Sequence, residues 1–499
     1  MSWLLDSRPI IACSTGEVQA ALSVIRVSGF KNFDFLNSFT GLNSKKIQSR
    51  KVYLTQFFAK SGEIFDQGLL TAFFAPSSYT GENMLEFSVH GNPFQVRKII
   101  NFLTREYSFR LAERGEFTYR AYRNGKMNLT QVEGLEQLLK ARSPLIFKKG
   151  LETLYGSLFK IYEKLRKNFL ELKASVELSI DFLEDVGVDQ AEKQFNQSCE
   201  NLKNTIDELY FKSNHSGDQL LRPKVILVGP TNSGKSTLFN YFLDESRSIV
   251  SDEAGTTRDY VSQNIIINGS EFQLIDTAGL RETINPIEKE GIQRSRRLLD
   301  VSFFKILVIN PFEWEDKNFN FVQNEKFDAI ILTHFDKLKT SPKSLNINVP
   351  TAKKIFYYSS IDHKYKPAPI GPELKSCPVE NSKNGSIEPF QINEISLNAI
   401  FNHDFNMLED FKTNFFDQIA KSYENQIQNS PILIQRHVQL IEDLYYLFDH
   451  FDNLRKDTND IAILSNELNI ISSRIDQLLG FVTPDEVLKH IFSEFCIGK

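Results

Sequence analysis

The segment Gly229-Pro230-Thr231-Asn232-Ser233-Gly234-Lys235-Ser236 restricts the fold more than any other stretch of the chain. It fits the spacing G-x-x-x-x-G-K-[ST] and stands where that motif has a mechanism. The apolar run Val225-Ile226-Leu227-Val228 precedes it, and a helical pattern at Lys235–Leu243 follows. Strand, glycine loop and helix start, in that order, aim backbone N–H groups and the positive end of a helix dipole at one point, which is a phosphate site. Gly229 and Gly234 let the loop close on phosphate oxygens, Lys235 supplies charge to the β- and γ-phosphates, and the Ser236 hydroxyl can ligate Mg²⁺. Further apolar strands at Phe272–Ile275, Phe304–Ile309 and Ala329–Leu332, separated by helical text, predict a parallel sheet with helices on both faces.

Two downstream features extend the phosphate reading. Asp276-Thr277-Ala278-Gly279 follows the Phe272–Ile275 run; an Asp there can hold the metal through water, and Gly279 can offer an N–H to the γ-phosphate. Between the motifs, Gly255-Thr256-Thr257-Arg258-Asp259 pairs adjacent hydroxyls in a flexible segment. Thr257 is the natural second Mg²⁺ ligand, released when the γ-phosphate leaves, as in a switch loop. Base recognition is less regular. GTPases that this stretch resembles usually carry Asn-Lys-x-Asp after the next strand, whereas this chain has Thr333-His334-Phe335-Asp336. Asp336 keeps the carboxylate that accepts two N–H groups of guanine. Ser396-Leu397-Asn398 is taken as the second base loop, with Ser359-Ser360 as its competitor.

The chain has 499 residues, enough for roughly three domains at about 150 residues each. Lys plus Arg is 58 and Asp plus Glu is 63, a net charge of −5, which argues against a wholly basic nucleic-acid coat. Cys13, Cys199, Cys377 and Cys496 form no CxxC pair, so neither a disulfide scaffold nor a zinc cluster is expected. No run approaches the roughly 18 apolar residues of a membrane span, and the expectation is a cytoplasmic protein with no membrane partner. Residues 1 to 122 read as mixed α/β, with β-rich runs at Leu22–Val27, Val52–Phe58, Leu69–Phe74 and Met84–Val89 and a helix at Pro93–Tyr107. Asn128–Leu183 reads as long helix on Leu158, Ile161, Leu165, Phe169 and Leu172, and another helical stretch runs to Leu209. Asp336–Ser396 reads as a largely irregular insertion, and helix returns from about Ser422. The expected fold class is multidomain α/β plus all-α. An N-terminal domain (1–122) is followed by a discontinuous helical domain (123–218 and 421–499) with a Ras-like P-loop domain (219–420) inserted in it.

At this point the motifs resemble one family, the tRNA modification GTPases called MnmE or TrmE, over nearly the whole chain. The resemblance rests on Arg26-Val27-Ser28-Gly29, Tyr79-Thr80-Gly81-Glu82, Leu85-Glu86, His90-Gly91, Gly115-Glu116-Phe117, Arg120-Ala121, Asn124-Gly125-Lys126 and the tail Phe495-Cys496-Ile497-Gly498-Lys499. Departures are the Thr333–Asp336 motif, Arg114 where the family usually has Pro, and the long insertion.

The resemblance implies an N-terminal domain that forms a homodimer and binds a tetrahydrofolate derivative in its formyl or methylene form. Arg26, Glu86, Lys126 and Lys499 match the folate positions. It assigns nucleotide contacts to Asn232, Ser233, Gly234, Lys235, Ser236 and Thr237, and to Ser251, Asp252, Glu253, Ala254, Gly255, Thr256 and Thr257. Asp276, Thr277, Ala278, Gly279, Thr333, Asp336 and Ser396 complete that set. Mg²⁺ falls to Ser236 and Thr257, and a K⁺ ion, in place of an arginine finger, to Asn232, Ser251, Glu253 and Thr256. Glu288 matches the glutamate that positions the attacking water. The implied function is K⁺-dependent hydrolysis of GTP that, with an MnmG-like FAD protein, modifies C5 of the wobble uridine of certain tRNAs, adding an aminomethyl or carboxymethylaminomethyl group. The alternative is a ribosome-assembly GTPase, which calls for a basic RNA-binding module that the sequence does not display. A membrane-remodelling GTPase calls for an amphipathic anchor, equally missing from the C-terminal text.

Overall fold

The structure is a computed structural model that describes residues 3–16, 18–181, 188–213, 220–221, 223–230, 232–244, 261–277, 298–299, 301–313, 325–334, 347–349, 352–357, 390–392, 411–429, 433–458 and 461–498. The chain divides into two compact units. One comprises Met1–Lys140, Lys148–Glu208 and Leu440–Lys499; the other comprises Ala141–Phe147 and Leu209–Gln439. The first therefore draws its helices from both sides of an inserted α/β unit, as the expected fold class requires.

In the first unit, β1 (Ile10–Cys13), β2 (Leu22–Ser28), β3 (Val52–Phe58), β4 (Ile64–Phe73), β5 (Met84–His90) and β6 (Arg110–Leu111) form one sheet in the order β3-β4-β5-β2-β1-β6. Every pairing is antiparallel except β1 with β6. Alternation along β2 and β5 buries Ile25, Val27, Leu85, Phe87 and Val89 on one face. The helix Pro93–Tyr107 covers that face with Val96, Ile99, Ile100 and Leu103; Asn92 caps it and Pro93 opens it. Phe39, Phe57 and Phe87 meet at ring distances of 5.3–5.5 Å inside this core.

The stretch read as one long helix is three: Leu129–Lys140, Pro144–Leu154 and Ser157–Asp181. The breaks have local causes. Ser143 Oγ accepts from the N–H groups of Leu145 and Ile146 at 3.2 and 3.4 Å, capping a helix that starts on Pro144. Gly156 takes a φ of 87°, which ends the preceding helix. Along Ser157–Asp181 the buried stripe is Leu158, Tyr162, Leu165, Phe169, Leu172 and Val176; of the five positions expected from the sequence only Ile161 is exposed, and Tyr162 takes its place. The helix Ile461–Leu479 packs along it. Asp452, on Gln435–Asp457, is buried among Arg455, Lys456 and Lys203. No helix among the described residues is long and apolar enough to cross a membrane.

The second unit is built on β7 (Lys224–Val228), β8 (Val261–Ile267), β9 (Ser270–Asp276), β10 (Phe304–Ile309), β11 (Phe327–Leu332) and β13 (Ala352–Tyr357), in the order β13-β11-β10-β7-β9-β8. The sheet is parallel except that β8 runs antiparallel to β9 at the edge. That edge strand departs from the all-parallel expectation. A second correction falls on the insertion. β13 lies inside Asp336–Ser396 and pairs with β11, and a short ladder joins β12 (Ile347–Val349) to β14 (Phe390–Ile392). The insertion is therefore partly structured. Lys353 and Lys354 hid β13, because an edge strand tolerates charge that a central strand would not.

Candidate functional site

The phosphate loop leaves the end of β7 and opens the helix Lys235–Asp244. β7 lies between β9 and β10, with β8 and β9 on one side and β10 and β11 on the other, and the crevice outside its carboxyl end is where such sheets take ligands. A Cβ on Gly229 would collide with the Val308 carbonyl, and Gly234 holds a φ of 92° with its missing Cβ 3.1 Å from Thr333 Cγ2. Both glycines are thus steric requirements. Asn232 has a φ of 61° at the exposed turn of the loop, a conformation Asn accepts more readily than most residues.

Lys235 is buried, and its Nζ donates to the Gly229 and Pro230 carbonyls at 2.7 and 2.5 Å. The ammonium therefore stands inside the loop that would surround a phosphate. Ser236 Oγ donates to Asp276 Oδ2 at 2.9 Å. A hydroxyl and a carboxylate in contact are oxygen donors of the kind Mg²⁺ takes when phosphates complete its shell, so these residues fit that ion. Thr277 Oγ1 donates to the Leu227 carbonyl at 2.8 Å and fastens the end of β9 to β7. Thr237 is exposed in the first turn of the helix, and Ser233 is buried beneath the loop.

Thr333 is buried with its hydroxyl within 2.8 Å of the Ser233 carbonyl and 3.1 Å of the Ile309 carbonyl. It ties the base-side loop to the phosphate loop through backbone, and His334 beside it holds a φ of 57°. Ser251, Asp252, Glu253, Ala254, Gly255, Thr256, Thr257, Ala278, Gly279, Glu288, Asp336 and Ser396 lie outside the described residues.

The first unit holds a cavity of about 610 Å³ with Arg26, Glu86 and Lys126 on its wall. These residues come from three distant places in the chain. Arg26 and Glu86 are cross-strand neighbours on β2 and β5, joined by an ion pair at 2.8 Å in which both side chains are about a quarter exposed or less. The Arg26 guanidinium also stands 5.6 Å from the Tyr79 and Phe117 ring centroids, and its Nη1 donates to the Gly498 carbonyl at 3.1 Å. Ser14 Oγ donates to the same carbonyl, and Ile497 bridges to Arg114. Gly498 has a φ of 92°, and a Cβ there would meet the Cys13 carbonyl at 2.6 Å. The C-terminal tail is thereby seated beside Arg26 and the cavity; Lys499 itself lies outside the described residues.

Other motif residues prove structural. Arg120 and Glu116 are both 1% exposed and paired at 3.1 Å, and Arg120 also reaches Glu82 at 3.0 Å. Ser28 Oγ donates to Glu82, so these positions lock the sheet to the helix Glu116–Arg123. Cys199 is buried, which pushes its thiol up to about 12, as befits a packing residue; Cys496 is exposed and Cys13 buried. Arg50, Ser77 and Ser78 also line the cavity. Sequence reasoning missed them because they stand in turns without a motif.

Comparison with known proteins agrees with this geometry. The family model described as the GTP-binding protein TrmE N-terminus matches residues 9–126, and the MnmE helical domain matches residues 129–496. The chain is 31% identical over 502 residues to the tRNA modification GTPase MnmE of Leptospira biflexa, covering 98% of this chain and 99% of that one. It is 31% identical to the protein of that name in Thermosipho melanesiensis, again over 98% and 99%, and 30% identical to that of Aquifex aeolicus over the same shares. A GTP-binding protein of Sulfolobus solfataricus in complex with GDP matches 42% of this chain and 65% of its own at 19% identity, with a TM-score of 0.19 that carries no argument. With both family models matched and relatives aligned end to end, the chain belongs to the tRNA modification GTPase MnmE family.

Proposed function

We propose that this GTPase hydrolyses GTP in a K⁺-dependent manner. In concert with an MnmG-like FAD protein, it uses a tetrahydrofolate one-carbon unit to build an aminomethyl-type group on C5 of the wobble uridine of certain tRNAs. The observation that carries the reading is the cavity with Arg26, Glu86 and Lys126 on one wall, in a chain that also has a complete phosphate loop. A switch GTPase acting only on ribosome assembly has no use for such a cavity. Its volume suits a ligand of folate size. Glu86 can accept the donors of a pterin edge, while Arg26 and Lys126 can meet carboxylates.

In the nucleotide site, Lys235 holds charge at the β- and γ-phosphates, and Ser236 with Thr257 would hold Mg²⁺, with Asp276 behind Ser236. The ions supply positive charge where negative charge grows between the β- and γ-phosphates. Asn232, Ser251, Glu253 and Thr256 would hold K⁺ there, and Glu288 would orient the attacking water. Asp336 would select guanine, with Thr333 keeping the base loop in register. Homodimerisation through the N-terminal domain would set two such chains side by side.

The test is hydrolysis of GTP and ATP by the purified chain in matched KCl and NaCl. Turnover of GTP alone, and only in K⁺, is the expected result. Equal rates in the two salts would remove the K⁺ site, and equal use of ATP would remove guanine selection by Asp336.

A further inference from the structure

Arg50 is a cation on the cavity wall that packing does not account for. It sits in the turn before β3 with a φ of 62°, a left-handed conformation unfavourable for a residue with a Cβ. Three hydrogen bonds hold that turn against the end of β4 and the connection that follows it. The Arg50 N–H donates to the Ala72 carbonyl at 2.7 Å, the Phe74 N–H to Ser49 Oγ at 3.2 Å, and Arg50 Nη2 to the Ser77 carbonyl at 3.1 Å. One edge of the guanidinium is thus fixed. Among the described residues no carboxylate pairs with it.

Lys126 is carried to the same cavity by a second constrained turn. Asn124 Nδ2 donates to the Thr80 carbonyl at 2.7 Å, and the Lys126 stem crosses Gly81, where a Cβ would stand 3.3 Å from its Cγ. Its ammonium also has no carboxylate partner among the described residues. The carboxylate on this cavity wall is Glu86, already engaged by Arg26 at 2.8 Å. Arg50 and Lys126, both exposed, therefore leave the wall with positive charge that an anionic ligand can use.

We propose that Arg50 and Lys126 form an anion subsite for the glutamate tail of the folate, and that the site favours tails with more than one γ-linked glutamate. Each added glutamate brings one more carboxylate within reach of a planar fork and an ammonium. The inference rests on the folate reading of this cavity and adds to it a residue, Arg50, and a ligand class, the polyglutamylated folates.

The test is titration calorimetry on the full chain with 5-formyltetrahydropteroate, which lacks glutamate, and with the mono- and triglutamate forms of 5-formyltetrahydrofolate. The triglutamate should bind tightest, about tenfold or more above the monoglutamate, the size of one charge-assisted contact, and equal binding of the two would overturn the preference for longer tails. Arg50→Gln should remove most of that preference and leave pteroate affinity within about twofold, which also shows that the variant is folded; Arg50→Lys should retain part of it. Equal weakening of all three ligands would make Arg50 a structural residue and overturn the subsite. So would a wild-type chain that binds the three alike. Binding of none by the wild type would overturn the folate reading itself, and the subsite with it.

Discussion

Lys235→Ala is expected to lower GTP turnover by about a hundredfold to a thousandfold while the chain stays folded. Lys235 Nζ is held by the Gly229 and Pro230 carbonyls, so the ammonium occupies the loop before any phosphate arrives. A charge fixed in place needs no reorganisation when negative charge develops on the β- and γ-oxygens, and losing one such group costs about 10² to 10³ in rate. The structural cost should be smaller, because the carbonyls left behind belong to a loop open to water. Steady-state hydrolysis alongside a melting curve checks both parts. Turnover within about threefold of wild type would mean that Lys235 does not serve the phosphates.

Arg26→Ala should have the largest effect in the first unit. A single guanidinium joins Glu86, the rings of Tyr79 and Phe117, and the carbonyl of Gly498. Its removal strands a carboxylate that is about a quarter exposed, worth about 1 to 2 kcal/mol after allowing for that exposure. It also releases the tail and takes a cation from the cavity. We expect affinity for 5-formyltetrahydrofolate to fall by about a hundredfold or more. Glu86→Gln in the same background should add little, since the two act as a unit. Unchanged affinity on calorimetry would show that Arg26 serves only the sheet.

The two sites differ in how readable they were. The phosphate loop is contiguous, and its pattern is local: an apolar strand, two glycines at fixed spacing and a helix start. Gly229 and Gly234 could be placed without any knowledge of the tertiary structure. The cavity residues are separated by whole elements, and nothing in the text around Arg26 or Lys126 marks them except resemblance. Alone, Arg26 and Glu86 would pass for a surface ion pair. Arg50 carries no such signal, because what places it is a backbone bond to the Ala72 carbonyl and a guanidinium bond to the Ser77 carbonyl.

The misread elements have equally specific causes. Ser143-Pro144 and Gly156 carry ordinary helix-break signals, but the 3.6-residue period running through them masks the breaks in the sequence. Tyr162 is fully buried although its phenol makes it look half polar in the sequence, while the apolar Ile161 is exposed. The Thr333 hydroxyl bonds to the Ser233 and Ile309 carbonyls, contacts that no pattern in the sequence announces.

The measurement that tests the account most directly is reconstitution of the modification. The purified chain would be combined with an FAD partner of the MnmG kind, a tRNA with an unmodified wobble uridine, methylenetetrahydrofolate, an amine donor, GTP and K⁺. The digested tRNA would then be examined by mass spectrometry. The account predicts a C5-aminomethyl-type uridine that requires both GTP and the folate and is lost with Arg26→Ala or Lys235→Ala. Formation of the same nucleoside without the folate, or undiminished formation by either variant, would contradict it.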